Sequence, residues 1–140
     1  MKKTITIDAL CENLHAVQES LAPVLDDCPF SPGVRMDLEI AVEEIFLNVA
    51  SYAYAPEKGQ ITIEAETDEQ GIVLSFMDRG APFNPLDLSE PDVNASWKDR
   101  RIGGLGLFMV RKRMDSMEYE RRDGYNVLSI RKSVTDQKTE

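Results

Sequence analysis

The sequence predicts an α/β two-layer sandwich, in which three helices cover one face of a mixed, mostly antiparallel sheet of about five strands. Two pairs of consecutive predicted strands are each joined by a short turn, and this arrangement favours antiparallel pairing. The pairs are 61–67 with 72–77, across Asp68–Gly71, and 118–122 with 126–132, across Asp123-Gly124. Three segments with helical periodicity surround these pairs, so one sheet with helices on a single face is the simplest arrangement.

The first half of the chain predicts one strand followed by two helices. Residues 3–7 alternate polar and apolar side chains, as a half-buried strand does. Asp8 is expected to cap the first helix, and Cys28–Gly33 to end it. The second, longer helix is expected to run to about Tyr54. The apolar residues spaced three or four apart are Leu10, Leu14, Val17, Leu21 and Leu25 in the first helix, and Leu38, Ala41, Val42, Ile45 and Val49 in the second.

The segment between Asp78 and Gly104 has no periodicity and is rich in proline, glycine and acidic residues. A loop of this length in a compact domain is usually functional, so residues 82–101 are predicted to form a lid. A third helix opens at Gly104, with Leu107, Val110 and Met114 on one face. Residues 1–134 are predicted to form one domain, and residues 135–140 a polar tail.

Composition excludes several function classes. The 140 residues include 16 Lys and Arg against 25 Asp and Glu, a formal net charge of −9, and 42% are hydrophobic, as in globular proteins. This charge argues against direct binding to nucleic acid or to an anionic membrane. Cys11 and Cys28 are expected to be free thiols, and one histidine is too few for a Cys/His zinc site. Without a signal peptide or a spanning segment, the expected location is the cytoplasm.

Glu44 and Asn48 lie one turn apart on the second helix, at the border of its apolar stripe. Glu43 falls roughly opposite the stripe and is expected in solvent. A carboxylate at such a border can accept a proton, and an amide oxygen can bind Mg²⁺. The alternative interpretation is the solvated flank of an amphipathic helix.

Asp78 ends a predicted strand and is followed closely by Gly80. A carboxylate in this position can accept a hydrogen bond from an exocyclic amine such as that of adenine. The glycine permits a tight turn and the close approach of a ligand. The alternative is an ordinary turn, in which both residue types are common.

Gly103, Gly104 and Gly106 stand at the start of the third helix, just after Arg100 and Arg101. Glycines there leave the first N–H groups of a helix free to bind phosphate oxygens, and the arginines add positive charge. The segment is not a Walker A motif because no Gly-Lys-Ser/Thr follows, and a flexible hinge is the alternative. Together, the three clusters supply the separate parts of an ATP site.

Three segments carry a resemblance to a known superfamily. They are Ala41–Asn48 (AVEEIFLN), Asp78–Pro85 (DRGAPFNP) and Gly103–Leu107 (GGLGL), and the last leads to Met114-Asp115. These segments are similar to the N box and the two glycine boxes of the GHKL ATPases, such as gyrase, Hsp90, histidine kinases and MutL. From the first strand to about Lys132, the chain most resembles the stand-alone anti-sigma-factor serine kinases of bacteria.

The resemblance implies a Bergerat-type ATP-binding fold and a Mg²⁺-ATP-dependent serine/threonine protein kinase. It implies that Glu44 is the general base, that Asn48 binds Mg²⁺ and that Asp78 binds the adenine amine. The other residues expected at the nucleotide are Gly80, Arg101, Gly103, Gly104, Leu105 and Gly106. The implied substrate is a STAS-domain anti-sigma-factor antagonist, the second partner is a sigma factor, and a homodimer is common in such kinases.

Two residues depart from the pattern of these kinases. Tyr52 stands where a histidine is common, and Asn84 replaces the usual aspartate of the first glycine box. A rival interpretation is a nucleotide-binding regulatory module that holds a sigma factor without phosphorylating anything. The intact Glu44 favours the kinase, since a pure binding module needs no base. A bare ATPase of the superfamily is a weaker third alternative.

Overall fold

The computed structural model describes residues 1–54, 57–87 and 104–134. Residues 88–101 of the predicted lid lie outside the described residues, as does the predicted tail of 135–140. Arg101 and Gly103 also lie outside them, and only the backbone of Gly104 and Leu105 is described.

One antiparallel sheet forms the first layer. Its strands are β1 (Lys2–Asp8), β2 (Gln60–Thr67), β3 (Gly71–Asp78), β4 (Ser116–Arg122) and β5 (Tyr125–Ser133). In the described part of the chain the strand order is β1-β2-β3-β5-β4, and every neighbouring pair is antiparallel. The β4–β5 turn has φ of 53° at Asp123 and 83° at Gly124, which is typical of a type I′ hairpin. The predicted sandwich is thus confirmed, with a sheet that is antiparallel throughout.

Three helices form the second layer: α1 (Leu14–Asp26), α2 (Pro32–Asn48) and α3 (Gly104–Arg113). The start of α2 is capped by Ser31, whose Oγ accepts a hydrogen bond from the Val34 N–H at 3.2 Å. At its other end α2 continues into a π-helical turn, Val49–Ala53, so the helical segment ends near Tyr54 as predicted.

Asp8 does not cap α1, and that prediction is wrong. Asp8 is still part of β1, and its Oδ1 accepts a hydrogen bond from Gln60 Nε2 at 3.3 Å. A short 3₁₀ turn, Cys11–Asn13, intervenes before α1 begins, and Asn13 Nδ2 donates to the Asp8 carbonyl at 3.0 Å. The strand therefore ends too far from the helix for the Asp8 side chain to reach its first N–H groups.

The apolar stripes predicted from periodicity face the core, except at the start of the first one, where Leu10 precedes α1 and both Leu10 and Leu14 are only half-buried. The residues buried there are Val17, Leu21 and Leu25 of α1, Leu38, Ala41, Val42, Ile45 and Val49 of the second helical segment, and Leu107, Val110 and Met114 at α3. Glu43 is half-buried rather than in solvent as predicted. The reason is that α2 lies between α1 and α3, so neighbours cover more of its surface than one apolar stripe.

Both cysteines are free thiols, with Cys11 exposed and Cys28 buried. Burial is the main cause that raises the pKa of the Cys28 thiol, and this disfavours the reactive thiolate. No helix within residues 1–54, 57–87 and 104–134 has an apolar run long enough to cross a membrane.

Lys132 ties α3 to the sheet from a buried position in β5. Its side chain is 1% exposed, and its Nζ donates to the Arg113 carbonyl at 2.9 Å and lies 3.6 Å from Asp115 Oδ1. Arg113 is the last residue of α3, so the ammonium satisfies a carbonyl at the negative end of the helix.

We expect Lys132→Met to lower the free energy of unfolding by about 1–3 kcal/mol, because it removes the buried donor that bonds the Arg113 carbonyl and lies beside the partly exposed Asp115. Arg131→Met is the matched control, because this neighbour on the same strand is exposed, and its effect should stay within about 0.5 kcal/mol. Urea unfolding of both variants measures the difference. Equal effects of the two substitutions would contradict the anchoring role of Lys132.

Candidate active site

A cavity of about 250 Å³ opens where α2, α3 and the ends of β3 and β5 meet. Its lining is mostly apolar and aromatic, with Asn48, Asp78 and Asn126 as convergent polar groups. The apolar and aromatic lining includes Ile45, Val49, Tyr52, Phe76, Phe83, Leu107, Tyr119 and Leu128. Two of the residues predicted from the sequence, Asn48 and Asp78, therefore lie in one pocket.

Asp78 is the last residue of β3 and is only 6% exposed. Its Oδ1 accepts hydrogen bonds from the Gly80 N–H at 2.8 Å and from Asn126 Nδ2 at 3.0 Å. These two donors hold the carboxylate in a defined orientation at the cavity wall. A buried carboxyl oxygen of this kind can accept a hydrogen bond from an amine of a ligand.

Gly80 permits close packing between the turn after β3 and the π-helical turn after α2. A Cβ atom at Gly80 would lie 2.4 Å from the Ala53 carbonyl oxygen, and the Ala81 N–H donates to that same oxygen at 3.1 Å. Glycine is thus required here by a contact within the protein. A contact between Gly80 and a bound base stays a prediction.

Tyr54 adds a second link between the same two segments. Its hydroxyl donates to the Gln60 carbonyl at 2.6 Å and accepts from the Arg79 N–H at 2.7 Å. Burial is the main cause that raises the pKa of this hydroxyl. The turn after β3 is therefore hydrogen-bonded to the helical segment after α2 on both sides of Gly80, at Arg79 and at Ala81.

Glu44 lies against the first turn of α3. A Cβ atom at Gly106 would be only 2.0 Å from Glu44 Oε2, so the carboxylate occupies the space that a side chain would need. Burial raises the pKa of Glu44 above its ordinary value of 4.5, and the neighbouring Glu43 raises it further. The structure thus brings together the carboxylate of the predicted N box and the last glycine of the predicted second glycine box.

Asn48 fits the role of a magnesium ligand. Its Nδ2 is buried and has no hydrogen-bond partner in the described structure, and its side chain lines the cavity. An amide oxygen is a hard donor that suits Mg²⁺, which takes its remaining ligands from phosphates and water. The described residues contain no cluster of three or more His, Cys, Asp or Glu that could hold a metal. The binding of Mg²⁺ by Asn48 stays a prediction.

The start of α3 supplies the candidate phosphate site. Gly104 is its first residue, and the first N–H groups of a helix have no partners within the helix. The helix is held beside α2 by Arg113 Nη1, which lies 3.1 Å from Asp37 Oδ1. Contacts of Gly104, Leu105 and Gly106 with phosphate stay predictions, and Arg101 and Gly103 lie outside the described residues.

The two departures from the kinase pattern have different structural consequences. Tyr52 is 39% exposed and lines the cavity. Asn84 Oδ1 accepts a hydrogen bond from the Leu86 N–H at 2.9 Å, which an aspartate could also accept. The Asn84 departure therefore removes a charge from this turn and keeps its hydrogen bond.

Sequence reasoning missed three residues around Asp78. Asn126 is buried beside it, the Tyr119 hydroxyl donates to Asn126 Oδ1, and Arg121 Nη1 donates to the Gly80 carbonyl at 2.7 Å. One signal was available for Asn126, because it shares the inward row of β5 with apolar Leu128. A polar side chain at an inward position of a strand indicates a buried hydrogen-bond network.

Comparison with known proteins identifies the family. The family model for the histidine kinase-like ATPase domain matches residues 7–132. The chain belongs to the histidine kinase-like ATPase domain family. A solved histidine kinase, AdeS of Acinetobacter baumannii, shares the fold with a TM-score of 0.50 and 15% identity, over 95% of this chain and 68% of that one.

Relatives in this family include named protein kinases. The serine-protein kinase RsbW of Listeria monocytogenes is 30% identical over 132 residues, which are 91% of this chain and 84% of that protein. The serine/threonine-protein kinase BtrW of Bordetella bronchiseptica is 29% identical over 102 residues, which are 72% of each chain. The resemblance stated from the three motifs is thereby confirmed at the level of the family.

Gly106→Ala should displace the Glu44 carboxylate and lower turnover of bound ATP by about 100-fold, since the added Cβ occupies its place. Its unfolding free energy should stay within about 1 kcal/mol of the wild type, because alanine favours a helix. Gly33→Ala is the matched control, since nothing lies within 4 Å of a Cβ there. Labelled-phosphate turnover measures the effect, and full turnover in Gly106→Ala would contradict the close approach.

Glu44→Gln should be more stable than the wild type at neutral pH. The pKa of Glu44 is raised in the folded state, so ionised Glu44 destabilises that state as pH rises from 4.5 through the raised pKa. Well below pH 4.5 the wild-type carboxyl is protonated in both the folded and the unfolded state, and the difference should vanish. Urea unfolding at neutral pH and in acid measures the difference in stability between Glu44→Gln and the wild type. A stability gain in Glu44→Gln that persists in acid would show that the gain has another cause.

Proposed function

We propose that this domain is a Mg²⁺-ATP-dependent serine/threonine protein kinase and anti-sigma regulatory factor. The observation that carries the proposal is the Glu44 carboxylate placed against the first turn of α3, one helical turn from Asn48 and the cavity that Asp78 lines. The names of the RsbW and BtrW relatives support the same activity.

The nucleotide would enter with its base at Asp78 and its phosphates at the start of α3. The Asp78 carboxylate would accept a hydrogen bond from the adenine amine. The N–H groups at Gly104, Leu105 and Gly106, with Arg101 and Gly103, would bind the phosphates. Asn48 would hold Mg²⁺, which when bound neutralises the charge that develops on the phosphates.

Glu44 would act as the general base in the transfer. Its carboxylate takes the proton of a serine or threonine hydroxyl on an incoming protein, and the hydroxyl oxygen attacks the γ-phosphorus in line. A bond forms between that oxygen and phosphorus, and the bond between phosphorus and the β–γ bridging oxygen breaks to release ADP. The raised pKa of Glu44 sets the acid limb of the pH–rate profile, because only the ionised carboxylate is a base.

The protein substrate is proposed to be a STAS-domain anti-sigma-factor antagonist, and the second partner a sigma factor in the cytoplasm. The net charge of −9 suits a basic patch on a protein partner. In such a partner switch, the unphosphorylated antagonist displaces the sigma factor from the kinase. A homodimer is proposed as the assembly that holds these partners.

Glu44→Gln should lower transfer of labelled phosphate by about 100- to 10,000-fold and leave ATP bound, since it removes the base and keeps the shape. The assay incubates the protein with Mg²⁺, γ-labelled ATP and the antagonist encoded nearest to it. Glu39→Gln, a variant at an exposed residue of the same helix, should transfer phosphate as the wild type does.

Three outcomes of that assay would contradict parts of the proposal. Transfer that survives in Glu44→Gln would remove Glu44 as the base. A wild-type protein that binds ATP and a sigma factor but phosphorylates no antagonist would be a regulatory binding module. A wild-type protein that does not bind ATP would contradict the nucleotide site itself.

A further inference from the structure

Asn126 occupies the position on β5 that pairs directly with Asp78 on β3. It is 6% exposed, and the next two residues on its inward-facing row of β5 are the apolar Leu128 and Ile130. A buried amide of this kind is retained only where hydrogen bonds satisfy it. The partners of its two donor hydrogens and two acceptor lone pairs therefore indicate the role of Asn126.

All four positions are used within the protein. Nδ2 donates to Asp78 Oδ1 at 3.0 Å and to the Ala81 carbonyl at 2.9 Å. Oδ1 accepts from the Tyr119 hydroxyl and from the Phe83 N–H at 3.4 Å. A side-chain amide has two donor hydrogens and two acceptor lone pairs, so none is left to bind a ligand.

The two oxygens of Asp78 are consequently unequal. Oδ1 accepts both from Asn126 Nδ2 and from the Gly80 N–H at 2.8 Å. The described residues place no hydrogen-bond donor on Oδ2, and Asp78 lines the cavity. The rotation of the carboxylate is set by the donors on Oδ1, and the other oxygen remains available to a ligand.

We propose that Asn126 and Tyr119 are positioning residues that determine selectivity for the 6-amino group of adenine. Tyr119 fixes the orientation of the Asn126 amide, and Asn126 fixes the rotation of Asp78, so that Oδ2 accepts from the amine. This inference rests on the proposed ATP site. Asn126 and Tyr119 would act on the amine through Asp78 and would not contact it directly.

The competing account is that the Asn126 network only stabilises the turn after β3. Arg121 also bonds this turn, through the Gly80 carbonyl at 2.7 Å, so the turn has support besides Asn126. A purely structural role would weaken the binding of every purine triphosphate to the same extent. A positioning role would act on the amine alone.

The experiment compares two ligands across matched variants. Dissociation constants with Mg²⁺ are measured by calorimetry for ATP and for purine riboside triphosphate, which lacks the 6-amino group. The variants are Asn126→Ala and Tyr119→Phe, which keeps the ring and removes the hydroxyl. Ser129→Ala is the control, because Ser129 is on the same strand and bonds Ser75 rather than Asp78.

The wild type and Ser129→Ala should prefer ATP by about 10- to 100-fold, as expected for a hydrogen bond to a charged group. In Asn126→Ala the two dissociation constants should differ by no more than about threefold. In Tyr119→Phe the preference for ATP should lie between that of Asn126→Ala and that of the wild type. Tyr119→Phe removes one hydroxyl only, so it keeps the test valid if Asn126→Ala fails to fold.

A preference for ATP that stays at the wild-type value in both folded variants would overturn the inference, even if both ligands bound more weakly. That result would leave the ATP site of the proposed kinase intact. Failure of the wild type to bind ATP at all would instead contradict the proposed function, and the inference with it.

Discussion

The contact between the π-helical turn after α2 and the turn after β3 is the constraint on which the rest of the site depends. The Ala53 carbonyl accepts from the Ala81 N–H at 3.1 Å, and the space beside it admits only the hydrogen of Gly80. Asn48 lies on α2 just before this contact, and Asp78 lies on β3 just before the same turn. One close backbone approach thus sets the position of Asn48 relative to Asp78, the residues proposed to bind Mg²⁺ and the adenine amine.

The π-helical turn of Val49–Ala53 is what makes this approach possible. A π-helical turn holds one more residue in each hydrogen-bonded ring than an α-helical turn, so the residues after Asn48 point differently from those of a continued α-helix. Ala53 can then present its carbonyl to the turn after β3, while Ile45 and Val49 keep the apolar period of α2 against the core. Turns of this kind are rare and concentrate at functional sites.

Periodicity predicted the parts of the structure that depend on repeated burial, and it missed the parts that depend on one specific contact. The stripe of α2 and the alternation of β2 and β3 recur over several residues, so their buried faces were predictable. Asp8 was wrongly placed at a helix start, because a cap depends on the exact residue at which the preceding strand ends. A periodic pattern of apolar residues does not indicate that residue. Glu43 was wrongly placed in solvent because burial by α3 depends on tertiary packing. Asn126 and the π-helical turn depend on contacts with residues far away in the sequence, such as Asp78 and Ala81.

Hydrogen bonding separates the buried polar groups of this domain into two classes. Lys132 and Asn126 are buried and bonded to other parts of the protein, so their chemistry is complete without a ligand. Asn48 Nδ2 is buried without a partner in the described structure, and burial raises the pKa of Glu44. The other unpartnered atom of this kind in the described residues, Arg35 Nε, lies 3.9 Å from Glu39 Oε1 and so has an ionic partner.

The difference between satisfied and unsatisfied polar groups is relevant to the proposed phosphate transfer. Leaving a polar group desolvated and unsatisfied costs free energy, and such costs persist where a ligand or a reaction uses the group. On one face of α2, next to Gly106 and the cavity, Asn48 Nδ2 has no partner in the described structure and the pKa of Glu44 is raised by burial. In the proposed reaction, a phosphate oxygen would accept a hydrogen bond from Asn48 Nδ2, and the hydroxyl of the incoming substrate would give its proton to Glu44. Among the described residues, an unpartnered buried amide and a carboxyl with a raised pKa therefore lie together where the proposed chemistry takes place.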